Sequence, residues 1–164
     1  MSDVTALNSL TESDARAALL RCCGASRWVE QMSARRPFAD ANALFAAARD
    51  IATTLTRSDW LEAFAGHPKI GDFESLRNQS AWSAEEQSAL SSAAEATLRA
   101  LAAGNRAYEA KFGHIFIVCA TGKTADEMLA LLEQRLEHSP DEELRIAAAE
   151  QEKITHLRLQ RLCS

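Results

Sequence analysis

The residues best suited to chemistry lie in the run Gly66-His67-Pro68-Lys69-Ile70-Gly71-Asp72. A proline fixes its own φ and drives the residue before it toward an extended conformation, so His67 sits on a constrained backbone. Gly66 and Gly71 let that backbone approach a neighbour or a ligand closely. A rigidly held imidazole, titrating near neutrality, is what a general acid or base requires. The plainer reading is a loop histidine bonded to a carbonyl, with Pro68 and the glycines serving only turn geometry. Further on, Ser83, Glu86 and Gln87 are spaced i, i+3, i+4 and share one face of a helix start. Free N–H groups there suit an anionic or carbonyl-rich ligand. Glu86 is equally what a capping box places three residues after its serine; a cap can still fix a carboxylate beside a pocket. Arg158 offers a guanidinium that could grip a carboxylate or an imide-like edge with two bonds. Its ordinary role would be a solvated cation near a helix C-terminus.

The other candidates read as structural. His114, His138 and His156 have no mutual metal-ligand spacing, and Cys22, Cys23, Cys119 and Cys163 form no Cys-x-x-Cys pair, so no metal is expected. Cys119 lies in the most apolar run, which favours an inert buried thiol over a nucleophile. The adjacent Cys22 and Cys23 fit a disulfide framework poorly, and reduced thiols of a cytoplasmic protein are expected. Trp28, Trp60 and Trp82 read as core anchors.

Helices must position these residues, because helix signals are abundant and strand signals nearly absent. Thr11 opens a segment with Ala15, Ala18, Leu19 and Cys22 at helical spacing, stopping at Gly24. A short helix follows from Ser26 to Ala34. Asp40 caps a third, with Leu44, Ala47, Ala48 and Ile51 on one face. Ser58 starts a short helix through Phe64. Periodicity vanishes from Gly66 to Trp82, which reads as an ordered functional loop. Ser83 opens a helix to Ala103, Gly104 breaks it, and Asn105 caps a short helix ending near Gly113. Ile115 to Ala120 is either a buried extended segment or the core turn of another helix. Thr124-x-x-Glu127 opens a helix to about His138. Ser139-Pro140-Asp141-Glu142 opens the last, to about Leu162. The expected fold class is all-α, a single-domain bundle of roughly eight helices over residues 1–164.

Bulk properties narrow the function. With 47% apolar and 25% charged residues the chain is composed like a globular domain rather than a disordered one. Its net charge is -5 and it has no basic cluster longer than Arg35-Arg36, which argues against nucleic acid. The longest apolar run, Ile115 to Ala120, is far too short to cross a bilayer, so no membrane partner is expected. The N-terminal residues show no signal-peptide pattern, and the final Leu-Cys-Ser is not a peroxisomal address. A small molecule or another protein is the expected partner.

Several motifs in one order resemble the 2-oxo-4-hydroxy-4-carboxy-5-ureidoimidazoline (OHCU) decarboxylase family. Loosely, these are Leu7-Asn8, Trp28 and Pro37-Phe38. More specific are His67-Pro68-Lys69-Ile70-Gly71, Ser83-Ala84-Glu85-Glu86-Gln87 and Asn105-x-x-Tyr108-x-x-Lys111-Phe112-Gly113. Phe116-Ile117-Val118-Cys119, Glu152-Lys153-Ile154 and Leu157-Arg158-Leu159 complete the set. The resemblance implies an all-helical, usually dimeric enzyme that decarboxylates OHCU to S-allantoin in urate breakdown, with no metal or organic cofactor. It implies His67 as catalytic acid or base with Glu86 as its partner. Pro68, Ser83, Gln87, Arg158 and the segment Val118, Cys119, Ala120, Thr121 and Gly122 would line the substrate site. Competing readings are a non-catalytic helical binding module, a lyase or hydrolase for a related ureide, and a metal- or thiol-dependent enzyme.

Overall fold

Helices begin where the sequence supplies an acceptor for otherwise unpaired N–H groups. The computed structural model describes residues 3–67 and 95–164. Among the described residues it contains eight helices: α1 Thr5–Ser9, α2 Glu12–Cys22, α3 Ser26–Ala34, α4 Ala41–Ala52, α5 Arg57–Ala65, α6 Glu95–Phe112, α7 Ala125–Arg135 and α8 Pro140–Leu162. No strand occurs among those residues. Thr11, Asp40 and Thr124 cap α2, α4 and α7, each side chain accepting from the N–H three residues on. Ser139 does the same for α8 through the Glu142 N–H, at 3.3 Å. Such caps each contribute about 1 kcal/mol.

One start departs from expectation, and another, at the expected residue, is capped from elsewhere in the chain. Thr56, not Ser58, opens α5, because Asp59 returns the bond and closes a capping box. The start of α3 has no side-chain cap of its own. Glu62 of α5 supplies it, accepting from the Ser26 N–H at 2.6 Å and from Ser26 Oγ at 2.7 Å.

The chain packs as two units, Met1–Gly66 with Gln151–Ser164, and His67–Glu150. The first has a core of Leu7, Leu19, Trp28, Met32, Leu44, Ile51 and Leu159, with Cys22, Cys23 and Cys163 filling gaps. Asn8 and Phe38 are clipped together there: Asn8 Nδ2 donates to the Phe38 carbonyl at 2.8 Å, and the Phe38 N–H donates to Asn8 Oδ1 at 2.9 Å. This pairing gives a structural reason for asparagine at position 8.

The core of the second unit is Leu101, Tyr108, Phe112, Phe116, Val118, Met128 and Leu132. Here α6 runs unbroken through Gly104 and Asn105, against the expectation of a break and a new cap. A Cβ at Gly104 would lie 2.5 Å from Leu132 Cδ2. The glycine therefore lets α6 and α7 approach closely, and packing outweighs its poor helix propensity. Asn105 is buried on the inner face with Leu101, Tyr108 and Phe112. Gly113 ends α6 at φ 79°, its N–H bonded to the Glu109 carbonyl at 2.9 Å. Residues 115–120 lie outside any helix and are largely buried, so the run is not the core turn of another helix.

Candidate active site

The second unit carries an ionic cluster where the sequence showed only ordinary charges. Arg135 and Glu143 are 5% and 0% exposed, and they pair. Glu143 also accepts from Tyr108 Oη at 2.6 Å and faces His138 Nδ1 at 3.1 Å. The Arg135 guanidinium lies over the Phe116 ring at 4.5 Å and donates through Nη1 to the Ile117 carbonyl at 2.5 Å. Burial and the bond to Glu143 drive the Tyr108 hydroxyl far above its usual ionisation range. The cluster anchors the buried, non-helical run that leads into the expected substrate-lining segment.

Within that segment Val118, Cys119 and Ala120 are buried, Thr121 is half-buried and Gly122 is exposed. The Cys119 N–H donates to buried Glu150 of α8 at 3.2 Å, and Lys123 Nζ donates to the Cys119 carbonyl at 2.7 Å. A turn closes through the Lys123 N–H to the Ala120 carbonyl at 3.0 Å, with Gly122 at φ 77°. Sequence reading named the segment but not Glu150, Lys123, Arg135 or Glu143. Charged residues are ordinarily solvated, and no local spacing marks which of them turn inward.

His67 is half-buried, immediately after Gly66, whose N–H ends α5 on the Ala63 carbonyl at 3.3 Å. Pro68, Ser83, Glu86 and Gln87 lie outside the described residues. Arg158 lies half-buried on α8 in the first unit, where its Nη1 donates to the Arg21 carbonyl in the last turn of α2 at 3.3 Å. The guanidinium is thus fixed at a helix C-terminus, which its charge complements.

The thiols are free and buried. Burial pushes Cys22 up to about 12 and raises Cys23 and Cys163 as well, so these three are neutral at physiological pH and unsuited to nucleophilic work. A cavity of about 30 Å³ in the first unit is bordered by Trp28, Phe45, Trp60, Glu152 and His156, a space on the scale of water. It includes none of the site residues expected from sequence. No group of three or more His, Cys, Asp or Glu among the described residues could hold a metal ion. No helix among them is long and apolar enough to cross a membrane.

Comparison with known proteins places this architecture. The OHCU decarboxylase family model matches residues 8–160, through both units. The uric acid degradation bifunctional protein TTL of Arabidopsis thaliana is 43% identical over 148 residues, 87% of this chain. The chain spans 45% of that relative's length. The OHCU decarboxylase of Haloferax volcanii is 29% identical over 136 residues, covering 82% of this chain and 80% of that protein. A crystal structure of OHCU decarboxylase in the presence of (S)-allantoin superposes with a TM-score of 0.77 at 42% identity, covering 87% of this chain and 94% of the other. On these matches the chain belongs to the OHCU decarboxylase family.

Proposed function

We propose that this chain is a carboxy-lyase that converts OHCU to S-allantoin. One observation carries the reading: 42% identity and a shared helical fold over 87% of the chain with an OHCU decarboxylase solved with (S)-allantoin. The single family model from 8 to 160 supports treating both units as one catalytic domain.

The substrate's own chemistry makes a cofactor unnecessary. Breaking the bond from C4 to the carboxylate releases CO2 and leaves an electron pair on C4. That pair forms a C4–C5 double bond as the ring C=N electrons move to nitrogen, which takes a proton. The 4-hydroxyl then gives up its proton to become a carbonyl, and C5 is protonated on one face. Other decarboxylases use an organic cofactor as the electron sink; here the imine is the sink. The protein must orient the ring and move protons.

His67 would perform the proton transfer, with Glu86 orienting the imidazole or the ureido group. Arg158 and Gln87 would grip the ring's polar edges, beside Pro68, Ser83 and residues 118–122. The enzyme would work as a cytoplasmic homodimer. Buried free thiols are compatible with a reducing compartment, and sedimentation of the purified protein would test the dimer. The activity itself is tested by adding the protein to freshly made OHCU and following CO2 release. A rate well above spontaneous decay supports it; a rate equal to the blank, from folded protein, removes it in favour of a ureide-binding role.

A further inference from the structure

Two buried glutamates of α8, Glu143 and Glu150, act on one short stretch of the run 115–120. They stand seven residues apart, so about 10 Å of helix separates them on one face. Glu150 accepts directly from the Cys119 N–H at 3.2 Å. Glu143 acts through a second residue. It takes Nε and Nη2 of the Arg135 guanidinium, which leaves Nη1 to donate to the Ile117 carbonyl at 2.5 Å. Glu143 is itself fixed from two further sides, by Tyr108 Oη of α6 at 2.6 Å and by His138 Nδ1 at 3.1 Å. The same guanidinium lies over the Phe116 ring at 4.5 Å, so it grips two consecutive residues, one by its ring and one by its carbonyl. A planar fork can serve a carboxylate and a carbonyl at once, where a lysine ammonium is only a point charge. Apolar side chains of similar volume often serve stability as well as a buried ion pair does. What the pair adds here is a directional hold on one backbone carbonyl.

We propose that Arg135 is a positioning residue for the reaction: set by Glu143, it fixes the Ile117 carbonyl and so the placement of the backbone that enters the substrate site. This rests on the proposed activity and on residues 118–122 lining that site. Arg135 acts through the run, and Glu143, with Tyr108 and His138 around it, sets where the guanidinium points.

The test uses the full chain and steady-state turnover of OHCU, with Leu132→Ala beside the Arg135 variants. Leu132 fills the same core and its side chain carries no polar group. Truncating either residue destabilises the fold. An unfolded fraction removes active enzyme, so it lowers apparent kcat in both variants and leaves KM alone in both. Arg135→Met should in addition raise KM by roughly tenfold, the effect of one misplaced hydrogen bond in the site, while Leu132→Ala keeps the wild-type KM. Arg135→Lys keeps a charge beside Glu143 but loses the fork; it should give an intermediate KM, and it stands in for Arg135→Met if that protein does not fold. A wild-type KM in whichever Arg135 variants fold would overturn the positioning role and leave the proposed function standing. An equal rise of KM in Leu132→Ala would overturn it too, because general loosening of the core would then be the cause. A folded wild-type protein that turns over no OHCU would overturn the proposed function and the positioning role together.

Discussion

Arg135 of α7 and Glu143 of α8 form an ion pair that is almost wholly out of contact with water, and the same guanidinium holds the Ile117 carbonyl at 2.5 Å. The pair links two helices to the buried, non-helical run that precedes the expected substrate-lining segment. Desolvating two charges is costly, and the extra bonds from Tyr108, His138 and Ile117 offset that cost. Removing one partner strands the other. Arg135→Met is expected to destabilise the protein by about 3–5 kcal/mol. The double variant Arg135→Met with Glu143→Met should lose less than the sum of the single changes. Urea unfolding of the four proteins measures this, and strict additivity would show the pair is not coupled.

Gly104 makes a second, independent prediction. Alanine there would gain about 1 kcal/mol in helix propensity, but its Cβ would lie 2.5 Å from Leu132 Cδ2 in a filled core. Overpacking costs about 1–3 kcal/mol, so Gly104→Ala should be net destabilising, by about 1 kcal/mol. In a Leu132→Ala background the same change should become neutral or stabilising. Thermal melts of the wild type and the three variants decide it; a stabilising Gly104→Ala in the wild-type background would mean α6 and α7 separate easily.

These two positions also show what the sequence could and could not reveal. Capping by Thr11, Asp40, Thr124 and Ser139 was legible because a cap is local chemistry, three residues long. Gly104 was misread as a break because glycine's propensity is local whereas its reason here, Leu132, is a tertiary neighbour. Asn105 was misread as a cap for the same cause, since its burial on α6 depends on what packs against it. Helix α1 was not anticipated in a short polar stretch. Of the candidate site, His67, Arg158 and residues 118–122 were named from motifs. Glu150, Lys123, Arg135 and Glu143 were not, because which charged residues turn inward is a property of packing.

The Cys22 thiol, pushed up to about 12 by burial, predicts alkaline instability. In the unfolded chain a thiol ionises near 8.5–9, so between that range and about 12 the unfolded state binds fewer protons than the folded state. Stability must then fall as pH rises through this window, and is unaffected by this group below it. Melting temperature should decline from about pH 9 upward, with a shallower decline in Cys22→Ala. Identical alkaline slopes in the two proteins would remove Cys22 as a source.

The proton-transfer role makes a kinetic prediction. General acid–base groups contribute roughly 10²–10⁴-fold in rate, so His67→Asn should lose turnover by at least about a hundredfold with an unchanged melting temperature. Glu86→Ala should lose turnover as well; loss of stability alone would leave Glu86 as a helix cap. A His67→Asn protein with full turnover would end the assignment.

The most direct test of the whole account is optical. OHCU is generated freshly from urate, this protein is added, and circular dichroism follows the allantoin formed beside a protein-free control. A rapid signal of one sign, S-allantoin, is expected, because an enzyme that protonates C5 on one face yields one enantiomer. A folded sample that gives product no faster than the control, with no optical bias, would contradict it.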